Sequence, residues 1–141
     1  MAVLASSDRP VAVGDGLLQH VSRQISRLAA EASEGEQPPT DAAMYSCLAS
    51  FEQLARRNEA LGAHPRPLLS TGGGGDILVE WRGNSRNLLV FAMPDGAIHI
   101  HRVLLTRDGR LASQTVTSDA APGDVAAAVM KWLAFGDPGP A

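Results

Sequence analysis

From Leu17 onward the apolar positions Leu17, Leu18, Val21, Ile25, Leu28, Ala29 and Ala32 recur at three- and four-residue spacing, with Gln19, Arg23, Gln24 and Arg27 between them. That stripe predicts an amphipathic helix over about residues 15–33. Gly35 to Pro39 supplies Gly, acidic residues and a Pro-Pro pair, which cannot continue a helix because proline lacks the amide donor and clashes with the preceding turn. Thr40 or Asp41 then stands as an N-cap, and Met44, Cys47, Leu48, Phe51, Leu54 and Ala55 trace a second helical face over about residues 41–61, stopped by Gly62. A short loop between two amphipathic helices favours an antiparallel helical hairpin.

The period changes after Gly72 to Gly75. Ile77, Val79 and Trp81 alternate with Leu78, Glu80 and Arg82; Asn87 to Ala92 is rich in β-formers; Ala97 to Leu105 and Leu111 to Thr117 follow the turn signals Pro94-Asp95-Gly96 and Asp108-Gly109. Turns this short demand antiparallel neighbours, so the second half reads as a four-stranded β-meander. Pro122 can open a closing helix with Val125, Val129, Trp132 and Leu133 on one face. The expected fold class is α+β in the order α-α-β-β-β-β-α. It forms a single domain over residues 1–141, with a Pro/Gly linker at 63–75 and loose ends at 1–14 and 135–141. The helical hairpin packs either on the sheet or on another chain. In the third strand, strict alternation sends Arg102 to the side of Ile98 and Ile100, and Val103 and Leu105 to the other. Either both faces of the sheet are covered, or a β-bulge near His101-Arg102 resets the register; the pattern favours the bulge.

Composition narrows the function classes. Of 12 basic residues in the 141, Lys131 is the only lysine; 15 acidic residues bring the net charge to -3. No overall positive field draws the chain to nucleic acid or anionic lipid. The preference for Arg, with much Ala and Gly, matches the codon usage of a GC-rich bacterial genome. The longest apolar runs, Leu88 to Met93 and Val125 to Met130, have six residues each, against the ~20 that span a bilayer. Cys47 is the sole cysteine, so no intramolecular disulfide forms, and a reducing, cytoplasmic setting is expected.

Candidate chemistry is sparse. His99 and His101, at i and i+2 of a strand, leave the same face about 6.5–7 Å apart at the backbone, close enough to share a metal. Glu80 would sit two strands away, roughly 9–10 Å across. The alternative for both histidines is a polar face with ordinary hydrogen-bond partners. With the bulge, Glu80, Arg82, His99, His101 and Arg102 form a polar outer surface suited to a partner protein, with Glu80 in a surface ion pair with an Arg. The glycines at 72–75 lead into Asp76-Ile77 and not into Gly-Lys-Ser/Thr and a helix, so they read as a flexible joint and not as a phosphate loop. Cys47 falls on a buried helical face as a small hydrophobe, no serine has the elbow motif of a hydrolase, and Asp95, Asp108 and Asp119 fit turns and caps. Five arginines of the sheet half face four acids, and its two aromatics, Trp81 and Phe91, read as core, which argues against nucleic acid.

The Gly-rich lead, the strand Ile77-Leu78-Val79-Glu80-Trp81, the Asp95-Gly96 turn and a closing helix ending Trp132-Leu133 resemble a group of small uncharacterised bacterial α+β proteins, over roughly residues 72–134. The resemblance implies an accessory or antitoxin-like partner of a neighbouring gene product and brings no catalytic residue. The reading that results is a non-enzymatic protein–protein interaction module, self-associating or binding another protein, with no cofactor and no membrane. Alternatives are a metal-dependent enzyme or sensor on His99 and His101, and a nucleic-acid-binding protein.

Overall fold

A computed structural model describes residues 15–32, 34–57, 67–83 and 85–135. Helix α1 runs Asp15–Ala30 and α2 Asp41–Arg57, followed by strands β1 (Leu68–Ser70), β2 (Ile77–Arg82), β3 (Arg86–Ala92), β4 (Ile98–Leu105) and β5 (Leu111–Thr117), and helix α3 (Pro122–Phe135). The α+β order expected from periodicity is present. No helix among the described residues is long and apolar enough to cross a membrane. The expected stop at Gly62 and the expected loose end at 1–14 lie outside the described residues; of the loose end expected at 135–141, Phe135 closes α3 and the rest lies outside them.

The caps explain the helix starts. Thr40 Oγ1 accepts from the Ala43 amide at 3.1 Å, the N-cap bond that α2 needs. At α3, Asp124 Oδ2 accepts from the Ala121 amide at 2.9 Å, a carboxylate reaching back to the cap from the first turn, behind Pro122. Thr40 also donates to Pro94 O at 2.7 Å and Ser46 Oγ to Gly96 O at 2.6 Å, so α2 holds the β3–β4 turn through two side-chain hydroxyls. The β3–β4 and β4–β5 turns share one design. In each, the residue closing the first strand pairs across the hairpin (Met93 N to Ala97 O, Thr106 N to Arg110 O, both 2.8 Å), and a positive-φ glycine, Gly96 or Gly109, completes the turn.

The sheet has five strands, ordered β1-β2-β3-β4-β5 and antiparallel throughout. The extra strand is β1, within the segment expected to be a linker: three residues pair Leu68 with Glu80, Leu69 with Val79 and Ser70 with Leu78. So short a run shows no alternation of its own and is specified by its β2 partner. The Gly-rich segment is likewise no loose joint. Gln37 N donates to Gly73 O at 2.9 Å and Thr40 N to Gly75 O at 3.0 Å, fastening residues 73–75 to the entry of α2.

The three described helices lie on one side of the sheet. Val21 and Ile25 of α1, Ala43, Cys47, Phe51 and Leu54 of α2, and Val125 and Val129 of α3 share one core with Ile77, Val79, Trp81, Leu88, Val90, Ile98 and Ile100. The apolar stripe of the helical hairpin is therefore covered by the chain's own sheet, and the other option, packing on another chain, does not apply. The bulge expected near His101-Arg102 is also absent. Register runs unbroken from Ala92↔Ile98 to Arg86↔Leu104, and the only shift on β4 lies at Leu104/Leu105 against β5. Arg102 keeps its place on the helix side because a groove separates that end of β3, β4 and β5 from the last turns of α3. Thr117 Oγ1 accepts from its Nη1 at 3.1 Å there, and β5 is exposed along nearly its whole length.

Candidate interaction face

Strand alternation turns every second residue away from the helices, and the register sets those residues in rows. One row is Leu68–Glu80–Leu89–His101–Val116, the next Ser70–Leu78–Phe91–His99, and a third Arg82–Asn87–Val103–Gln114. No described helix packs on these residues, since the apolar side chains meeting the core all belong to the helices, to the α3 approach or to the opposite sheet face. Leu68 and Val116 at the two edges are 53% and 50% exposed, which leaves greasy margins on both sides of the face. An apolar middle with polar and charged groups around it is the arrangement expected of a docking surface.

The side chains on this face are ordered by one another. Phe91 and His101, diagonal neighbours on β3 and β4, set their rings 4.7 Å apart at 57°. Gln114 Nε2 lies 2.9 Å from His101 Nδ1; with the amide so assigned it donates, and the neutral imidazole carries its hydrogen on Nε2. Arg82 and Glu80, at i and i+2 of β2, form the expected surface pair, with Nε–Oε2 at 2.9 Å and Nη2–Oε1 at 3.3 Å. The Glu80 hydrogen bond, and behind it the Glu80 charge, raise Arg82 above its ordinary value. On an interior strand, with the Arg82 side chain 64% exposed and that of Glu80 17%, the pair adds little to the stability of the fold.

Of the residues singled out from the sequence, Glu80, Arg82, His99 and His101 do share this outer face, and Arg102 does not. Alternation without a bulge leaves Arg102 on the helix side, opposite the other four. Glu80 and His101 occupy one row with Leu89 between them, the two-strand separation expected from the meander. Among the described residues no three His, Cys, Asp or Glu side chains gather as a metal-holding group, so the histidine pair meets no third ligand there. Phe91, expected in the core with Trp81, stands instead on the outer face beside His99. Alternation already sets Leu78 with Glu80 and Arg82; the residues that sequence reasoning misses are Leu68, Leu89, Phe91 and Val116. For Leu89 and Phe91 the signal is the unbroken run Leu88-Leu89-Val90-Phe91-Ala92, which makes both faces of one strand apolar.

The remaining reactive groups are committed to structure. Asp95 Oδ1 accepts from the Ala97 amide at 2.9 Å inside the β3–β4 turn, and Asp108 bonds Thr106 in the next one. Cys47 is buried in the core, and desolvation pushes its thiol up from 9.0 to about 12. At a given pH below 9 the thiolate fraction is then lower by roughly a thousandfold in the folded chain. Reaction with a disulfide reagent at pH 8 should accordingly be at least about 100-fold slower in native protein than in guanidinium-unfolded protein; comparable rates would show that Cys47 is neither buried nor raised. Comparison with family models, with curated proteins and with solved structures finds no match to this chain.

Proposed function

We propose that the chain is a non-enzymatic protein-binding module that docks a different protein across the outer face of its sheet. The observation supporting this reading is the one-sidedness of the fold. Three helices cover one face, while the other presents Leu78, Leu89 and Phe91 between exposed Leu68 and Val116, with the Glu80–Arg82 pair and the two histidines beside them. An accessory or antitoxin-like partner role is also what the resemblance over residues 72–134 implies. One strand of three residues and four of six to eight, at ~4.8 Å spacing and ~3.3 Å rise, give a face of roughly 500 Å². That is about half of a standard interface side of ~800 Å², which suits a reversible complex and not an obligate one.

The test is a tagged-chain pull-down from the native host, repeated with Leu89→Gln/Phe91→Gln on the outer face and with Tyr45→Ser on the helical layer. A protein recovered by the wild type and by Tyr45→Ser, and bound at least ~10-fold more weakly by the outer-face variant, is the expected result. A partner that survives the outer-face change overturns the reading, as does a chain that stays monomeric in light scattering and recovers nothing. A dimer dispersed by the same two substitutions would place a second copy on this face and overturn the choice of a different protein.

A further inference from the structure

At one corner of the sheet a groove of about 280 Å³ opens between the ends of β3, β4 and β5 and the last turns of α3. Two inner rows form its floor, Leu88–Arg102–Thr115 and Arg86–Leu104–Ser113. Ala128, Lys131 and Trp132, on one side of α3, form its wall. Arg102 and Lys131 bring two positive charges to this concave corner of a chain whose net charge is -3, and no acidic residue among the described ones lines it. Thr117 holds the Arg102 guanidinium by one nitrogen. The indole N–H of Trp132 is buried and meets no acceptor among the described residues, a donor whose desolvation is uncompensated. Leu104, 46% exposed, and the half-buried Trp132 ring supply apolar area beside the charges, over the buried Leu88 and Ala128.

We propose that this groove binds a small organic anion, a carboxylate or phosphate ester on a body about the size of one ring. The guanidinium fork of Arg102 matches two oxygens of such a group, Lys131 supplies a point charge, and the hydroxyls of Ser113 and Thr115 accept or donate at the rim. Leu104 and Trp132 hold the body. The volume is near the lower end for small-molecule sites, which excludes a dinucleotide-sized ligand. The groove opens on the helix side of the sheet, so this site and the outer docking face stand or fall separately.

Phenyl phosphate and benzoate are the probes, with inorganic phosphate and phenol as controls, followed through the indole N–H signals of the two tryptophans in nitrogen-15 correlation spectra. Trp132→Phe assigns the pair. The expected result is a saturable shift of the Trp132 indole, and not of Trp81, with one or both organic anions; the stronger of the two identifies the headgroup. Arg102→Gln and Lys131→Gln should each weaken binding about tenfold, while Arg82→Gln on the opposite face changes nothing. Inorganic phosphate and phenol should each bind at least ~10-fold more weakly than the better organic anion. The proposal is overturned if neither organic anion gives a saturable shift at tens of millimolar, or if the shift persists in the Arg102→Gln/Lys131→Gln double variant with an unchanged circular dichroism spectrum. It is equally overturned if phenol or inorganic phosphate binds as well as the organic anions.

Discussion

Trp81→Ala should lower the unfolding free energy by about 3–5 kcal/mol, the largest loss expected from any single truncation in this core. Trp81 is 1% exposed on the sheet's inner face, its ring 5.7 Å from that of Phe51 on α2 and tilted by 32°. Removing the indole takes away its contact with Phe51 of α2 and leaves a hole beside its β3 partner Leu88, and a sheet fixed by its pairing cannot collapse into it. Trp81→Phe should behave differently. The indole Nε1 is buried with no hydrogen-bond partner among the described residues, so the native residue already carries an uncompensated donor. Phenylalanine removes that donor, worth about 1–3 kcal/mol, while leaving most of the ring volume, and the net loss should stay below about 1.5 kcal/mol. Urea unfolding followed by circular dichroism decides this, since the substitutions alter tryptophan fluorescence itself. An Ala variant within about 1.5 kcal/mol of wild type would mean that the core tolerates repacking around β2.

How far the sequence spoke depended on whether a feature was periodic. The stripe of Val21, Ile25 and Leu28 and the alternation of Ile77, Val79 and Trp81 repeat often enough to fix element type and buried face, and both faces pack as expected. The strand Leu68–Ser70 has three residues and no period, so only pairing with β2 creates it. Arg102 misled for a different reason. An arginine at a core-side position looks like a register error when the sheet is assumed covered throughout, and a bulge is the economical repair. What resolves the conflict is a tertiary fact: a groove separates the β3–β5 corner from the last turns of α3, and the position is core-side without being core. Hydrophobicity alone puts Phe91 in the core, whereas its odd-even relation to Val90 and Ala92 places it opposite them. The outer-face residues Glu80, Arg82, His99 and His101 were found together because they share strand parity, which sequence does carry. That Leu89 and Phe91 lie among them depends on reading a wholly apolar strand as two faces.

The same contrast between local reading and tertiary fact gives the second large effect, at Gly75. Four consecutive glycines resemble a hinge, and a hinge tolerates alanine anywhere along it. Here Gly75 adopts a φ of 90°, its carbonyl accepts from the Thr40 amide at 3.0 Å, and a Cβ would come within 3.1 Å of the Thr40 methyl and 3.3 Å of Gln37. Gly75→Ala combines the left-handed backbone penalty of roughly 1–2 kcal/mol with a contact the α2 entry cannot yield without disturbing the Thr40 cap. A loss of about 2–3 kcal/mol follows. Gly74, one residue earlier, meets nothing within 4 Å and has no positive φ, so Gly74→Ala should change stability by no more than about 0.5 kcal/mol. Two equal, small effects in urea unfolding would restore the hinge. Unequal effects in the stated order mean that residues 73–75 clasp the start of α2, and through Thr40, which also bonds Pro94 O, fasten the helical hairpin to the β3–β4 turn. Hydrogen exchange at the Thr40 amide reports the same clasp directly, slow in the wild type and in Gly74→Ala and fast in Gly75→Ala.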